Sequence, residues 1–148
     1  MEDLWPDFKE IVPEKTPISI IKDHASKLYE KTNYLISAEV EKDDNPGRIH
    51  FFDDEGIYKT TSPSFQYSFY LEASALNYRY KLFEIGHDIF LYPIYFFEID
   101  KDIINECFTD KKGAMVINDE EELLGFLKNI FGAKKTLKII QALRSQAS

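Results

Sequence analysis

The 148-residue sequence predicts an α+β fold: a single, mainly antiparallel twisted sheet of five to six strands, with an N-terminal helix on one face and a C-terminal helical hairpin. Of its 22 Phe, Tyr and Trp residues, 12 lie between Ser64 and Asp100, in partly alternating runs typical of buried strands. Helical apolar spacing follows Thr16-Pro17 and again follows Asp119. These observations place the sheet in the middle of the chain, between helices.

The first 15 residues predict an extended arm and residues 16–33 a helix. The arm contains apolar side chains that we expect to lie over the domain, with Trp5 as a packing anchor. Thr16 is a favourable N-cap, and Pro17 suits the first helical position, where its missing N–H costs nothing. The arm's apolar residues are Leu4, Trp5, Phe8, Ile11 and Val12.

The next segment predicts an acidic hairpin. Residues 36–41 alternate apolar and polar, 43–47 have turn chemistry, and 48–52 return as a second strand. Between Glu39 and Glu55 there are seven acids and two bases. One end of this hairpin is therefore expected to be strongly negative.

The aromatic third of the chain predicts strands over 65–72, 78–85 and 89–100, with a short final strand at 114–117. Gly86-His87-Asp88 fits a three-residue hairpin loop. Pro93 cannot donate to a ladder, so its strand is expected at an edge or with a bulge.

The C-terminal segment predicts a helical hairpin over 118–146. Asp119 is an N-cap before three glutamates, Gly132 ends the first helix, and the second has four bases and no acids, with Leu137, Ile140 and Leu143 as its apolar face. No repeat or linker divides the chain. We expect one domain over residues 1–148, with the arm at 1–15, a helix at 16–33, the sheet at 34–117 and two helices at 118–146.

Composition narrows the classes of partner. A net charge of −8 disfavours nucleic acid and favours a basic protein partner. Cys107 is the single cysteine, which predicts a reducing, cytoplasmic location. The N-terminus lacks signal-peptide character, and the longest apolar run, Ile89 to Phe97, is too short for a membrane span. We therefore expect no membrane association.

Candidate catalytic groups are sparse. His24, His50 and His87 are expected to be solvated, and His50 and Asp53 would point to opposite faces of one strand. Cys107 is expected to act as a small buried hydrophobe rather than a nucleophile. The chain has no Gly-rich phosphate loop, HExxH, GxSxG or CxxC motif. The sequence predicts no cofactor and no metal.

The most informative hypothesis concerns a second, apolar face of the sheet. One face is expected to carry Phe83, Ile85, Leu91, Phe97 and Ile99. The other is expected to carry Tyr70, Tyr78, Tyr80, Phe90, Tyr92, Ile94 and Phe96. Such a face needs a cover: the C-terminal helices, a second copy or another protein, or a small ligand.

These patterns favour a small, acidic, non-enzymatic protein that binds a basic protein partner, with homodimerisation as a further expectation. Acidic residues would steer the partner, and exposed tyrosines would anchor it. A domain binding a small apolar or aromatic ligand between sheet and helices is the alternative, and a metal-dependent or hydrolytic enzyme is the third. The predicted partner-binding residues are Tyr70, Tyr78, Tyr80, Tyr92, Asp43, Asp44, Asp53 and Asp54.

Overall fold

The computed structural model describes residues 2–11, 15–53, 55–108 and 115–148, and it confirms the α+β class. The helices are α1 Pro17–Ala25, α2 Lys27–Lys31, α3 Lys101–Cys107, α4 Glu120–Phe131 and α5 Lys134–Ala147. The strands are β1 Ser37–Lys42, β2 Ile49–Phe52, β3 Tyr58–Thr61, β4 Phe65–Ala73, β5 Tyr78–His87, β6 Ile94–Phe97 and β7 Met115–Ile117. The predicted partner-binding residue Asp54, Ala114 of the predicted final strand and Val12 of the arm lie outside the described residues.

Five strands form the main antiparallel sheet, in the order β1-β4-β5-β6-β7. The predicted pairing of 36–41 with 48–52 is wrong, because β1 pairs with β4, with Val40 opposite Phe69. β2 instead pairs with β3 as a separate two-stranded ribbon, with Phe52 opposite Tyr58. Alternation identifies a strand with one buried face but carries no information on which strand it pairs with.

The core is a layer of stacked rings on one face of the sheet. Phe69 and Phe83 stack with centroids 4.7 Å apart, and Phe83 contacts Phe96 at 5.1 Å. Phe96 in turn packs on Phe126 of α4 at 4.3 Å. Buried residues of α1 join the same cluster, so the N-terminal and C-terminal helices cover the same face.

The predicted division of residues between two apolar faces is therefore wrong. Ile85 pairs directly with Phe96, so these two side chains share a face, although the sequence placed them on opposite ones. A register shift between Phe69 and Tyr70 also brings Tyr80 opposite Leu71, on the core side. The face away from the helices is largely polar, with Glu41 and Arg79 joined at 2.7 Å.

The predicted turn at 86–88 is wrong, because Gly86 and His87 belong to β5. β5 runs through His87, and Gly86 sits opposite Gln66. A Cβ on Gly86 would lie 3.1 Å from Pro63, so the glycine serves a close approach rather than a turn. The connection follows at 88–93, and Ile89 and Phe90 are about 80% exposed there (81% and 80%). The predicted strand at 89–100 is thus confined to β6, in the interior of the sheet.

Local helix signals are confirmed. The Thr16 hydroxyl accepts the Ser19 N–H at 3.0 Å, and Asp119 accepts the Glu122 N–H at 2.8 Å. The predicted first helix is divided at Ser26 into α1 and α2. Leu137, placed on the apolar face of α5 by the sequence, is exposed, whereas Leu143 is buried.

The predicted packing of the arm is wrong for its described part. Leu4, Trp5, Phe8 and Ile11 are all exposed, Trp5 to 78%. Asp7 caps a single 3-10 turn at Phe8–Glu10. The prediction assumed that the apolar side chains of the arm pack on the domain, whereas those described are exposed to solvent.

Candidate docking surface on the β2–β3 ribbon

Gln66 anchors the ribbon to the main sheet. Its buried side-chain amide donates to the carbonyl oxygens of Gly47 at 2.6 Å and Pro63 at 3.2 Å. Its Oε1 accepts the Gly47 N–H at 3.2 Å, and its backbone carbonyl accepts the Asp43 N–H at 2.8 Å. One β4 residue thus fixes the segments on both sides of the ribbon.

The inner side of the ribbon packs on the sheet. Ile49 is 3% exposed, and the Phe51 ring lies 5.4 Å from that of Tyr95 on β6. Burial raises the pKa of Tyr95, and nearby Asp88 acts in the same direction. Because alternate residues of a strand point to opposite sides, the neighbours of Ile49 and Phe51 face outward.

The outer side, which we call the ribbon face, consists of His50, Phe52, Tyr58 and Thr60, all exposed. The Tyr58 ring lies 5.7 Å from Phe52 edge-on and 5.7 Å from His50 in a stacked arrangement. The Tyr58 hydroxyl is hydrogen-bonded to Nδ1 of His50. Three rings therefore form an ordered aromatic surface with Phe52 47% and Tyr58 55% exposed.

Acidic residues lie at both ends of the ribbon. At its base, Asp43 accepts the Asn45 N–H at 2.9 Å, and Asp44 is exposed. At its tip, Asp53 accepts the Ile57 N–H at 2.8 Å and pairs with Lys59 at 3.0 Å. The Ile57 N–H and the Lys59 ammonium lower the pKa of Asp53. Asp54, also predicted, lies outside the described residues.

The predicted tyrosines do not form one patch. Tyr70 lies on the polar side of the sheet, with the Arg79 guanidinium 3.9 Å above its ring centroid. Tyr78 is half exposed at the start of β5. Tyr80 and Tyr92 pack against the helical core. Whether any of them binds a partner stays a prediction.

Tyr80 belongs to a network that joins β5, α3 and α5. Its hydroxyl donates to Asp100, whose other oxygen caps α3 by accepting the Asp102 N–H at 2.9 Å. Lys135 of α5 lies 3.7 Å from Asp100 and 2.6 Å from Asp102. Burial and the bond to Asp100 raise the pKa of Tyr80 to about 12. Because its phenol is held neutral in this way, Tyr80 is suited to donating a structural hydrogen bond rather than to abstracting a proton.

Tyr92 is partly buried and packs against the core. Its hydroxyl is buried without a hydrogen-bond partner among the described residues. Burial raises its pKa, and the nearby acids Glu120 and Asp119 do so as well.

The remaining candidate groups are separated. His87 is 8% exposed, not solvated, and its ring lies 5.3 Å from Phe65 and 6.0 Å from Tyr67. Burial raises the pKa of Cys107, whose thiol approaches the Asn129 carbonyl at 3.6 Å. Within residues 2–11, 15–53, 55–108 and 115–148, no three His, Cys, Asp or Glu side chains converge in a geometry that could hold a metal ion.

Sequence reasoning missed Phe52, Tyr58 and Gln66. The segment Tyr58-Lys59-Thr60-Thr61 is rich in residues that favour strands. That composition could have indicated β3. The contact of Gln66 with Gly47 had no local signal, because the two residues are 19 positions apart in the chain.

Comparisons of the chain with models of protein families, with curated proteins and with solved structures found no match. Among the helices of the described segments, none combines the length and apolar character needed to cross a membrane.

Proposed function

We propose that this protein is a non-enzymatic binding protein that docks a basic protein partner on the ribbon face. The observation that carries the proposal is an exposed aromatic cluster, Phe52, Tyr58 and His50, fixed by ring contacts. Aromatic residues dominate the energetic centres of protein interfaces, and pre-ordered rings lose little entropy on binding. Exposed, mutually packed rings on a small ribbon are thus suited to anchoring a partner.

The acids at the two ends of the ribbon favour a positively charged partner. Asp43 and Asp44 lie at the base, and Asp53 and Glu55 lie at the tip. Four strand residues at roughly 3.3 Å each separate these ends by about 13 Å. Exposed charges at the rim of an interface act chiefly on association rate and salt dependence, while the rings hold the complex.

A site-specific photo-crosslink tests this placement. A photoreactive residue at Thr60, in the centre of the ribbon face, should crosslink to a protein in an extract of the native host. The same residue at Lys22, exposed on α1, serves as the control. The proposal requires an adduct from Thr60 that is absent from Lys22 and decreases with salt. An adduct formed from Lys22 alone would contradict it.

The acidic contribution needs substitutions that spare the turns. Asp43 and Asp53 accept backbone N–H groups, so their loss would disturb the ribbon itself. Asp44→Asn with Glu55→Gln removes two exposed charges and keeps side-chain shape. We expect a weaker Thr60 adduct at low salt and a smaller difference at about 0.15 M, where the screening length is about 8 Å.

A further inference from the structure

We infer that the protein forms a reciprocal dimer in which the N-terminal arm of each copy docks on α5 of the other. The arm and its receptor are both present in the chain: the arm carries exposed apolar side chains and acids, and the helix that carries the receptor is basic. This interface is separate from the ribbon face, so the two proposals stand or fall independently.

The arm is an apolar segment without a seat on its own domain. Leu4 and Trp5 are 89% and 78% exposed, and Phe8 and Ile11 are also exposed. The arm is ordered locally, since Asp3 accepts the Trp5 N–H at 3.0 Å and Asp7 accepts the Lys9 N–H at 2.9 Å. Four neighbouring large apolar side chains in water are unusual for a monomer and typical of an interaction segment.

The receptor is an open depression of about 470 Å³ between the end of the α2 region and α5. Its volume is within the range of sites that hold a compact ligand, and it can take the indole of Trp5. Leu137, which is 48% exposed, lies one turn before Gln141 on the same stripe of α5. The depression is lined by Asn33, Leu35, Gln141, Arg144, Ser145 and Ser148.

Charge complementarity selects this pairing. The described part of the arm, residues 2–11, has one base, Lys9, and four acids, Glu2, Asp3, Asp7 and Glu10. α5 has four bases and no acid. Among the described residues, Lys135 is the α5 base that takes part in an ion pair, which leaves Lys134, Lys138 and Arg144 for an incoming acidic segment. Although the protein has a net charge of −8, the positive charge of α5 attracts an acidic arm electrostatically.

A second copy is the occupant because the arm does not rest on its own molecule. An exchange about a two-fold axis uses each arm and each depression once, which closes the assembly at two copies. Each aromatic ring can bury about 150–250 Å². Two arms with two rings and two aliphatic side chains each therefore approach the roughly 1,200–2,000 Å² of a specific interface.

Trp5 is the single tryptophan, so its fluorescence reports arm docking directly. We expect the emission of the full chain to move to shorter wavelength as protein concentration rises, with the midpoint of the monomer–dimer transition seen by sedimentation equilibrium. Raising the salt to about 1 M, where the screening length is about 3 Å, should move that midpoint to higher concentration. Emission that is independent of concentration overturns the proposal, whether it is that of an exposed indole or of an indole docked within one copy.

Two matched charge reversals locate the receptor. Arg144→Glu reverses a charge in the depression, and Lys128→Glu makes the same change on the exposed side of α4. We expect Arg144→Glu to weaken dimerisation at least about tenfold, because it opposes like charges across the contact. Equal effects of the two reversals would overturn the assignment to α5. Trp5→Ala should abolish the dimer in sedimentation, and a dimer that persists would also overturn it.

Discussion

Single polar side chains in this protein connect secondary-structure elements, and Asp100 is an example. Asp100 receives the Tyr80 hydroxyl, caps α3 and lies 3.7 Å from Lys135. Burial alone would raise the pKa of Asp100, but these hydrogen bonds and the ammonium outweigh burial and lower it. The carboxylate is therefore a structural charge, stabilised by its partners.

Replacing Asp100 with Asn tests that role. Asn is as good an N-cap as Asp, so the change isolates the charge and should lower the free energy of unfolding at pH 7 by about 1 kcal/mol. The folded pKa of Asp100 lies below its usual 3.8, so its contribution is complete above that pH and is lost as pH falls through the folded value. Urea denaturation across pH should show the two proteins converging in acid. A gap that stays constant with pH would contradict the account.

For the secondary-structure elements, helix ends could be predicted from neighbouring residues, but the pairing of strands could not. The caps at Thr16 and Asp119 were readable because a helix terminus is defined by neighbouring residues. The apolar stretch at Ile89 resembled a strand, yet pairing begins only at Ile94. Strand pairing and the bulge at Phe69 depend on distant residues, so even the strands that were located correctly were assigned to the wrong hairpin and the wrong faces.

The docking of the ribbon on the sheet is predicted to depend on Gln66. Gln66→Ala leaves polar groups of Gly47 and Pro63 unpaired and should lower the free energy of unfolding by about 1–3 kcal/mol. Hydrogen exchange of the β3 amides should also accelerate. Gln146→Ala, on the exposed end of α5, is the control and should stay within about 0.5 kcal/mol. Equal stability of the two variants would argue against the anchor.

The molecule as a whole divides its aromatic residues between a buried stack and an exposed set. The ring stack of Phe69, Phe83 and Phe96 lies under the helices, each ring at most 1% exposed. Exposed aromatic groups lie elsewhere: on the ribbon face, the arm and the 88–93 connection, at Tyr29 and Tyr34 in and after α2, and at Tyr78 of β5. The high aromatic content was visible in the sequence, but which rings are buried and which are exposed depends on the register of strand pairing.

That division predicts opposite outcomes for two similar substitutions. Phe83→Ala removes a ring with no exposed surface and should lower the free energy of unfolding by about 3–5 kcal/mol. Phe90→Ala removes a ring that is 80% exposed and should change stability by less than about 0.5 kcal/mol. Thermal and urea unfolding measure both. A large loss from Phe90→Ala would show that the connection belongs to the core.

The most direct test of the proposed function is the dissociation constant of the purified complex with the protein crosslinked from Thr60. Phe52→Ala and Tyr58→Ala should each weaken it at least about tenfold, as expected for aromatic anchors worth more than about 1.4 kcal/mol. Tyr29→Ala, equally exposed on α2, should leave it unchanged. Unchanged affinity for both ribbon variants, or a loss confined to Tyr29→Ala, would contradict the assignment of the docking surface to the ribbon.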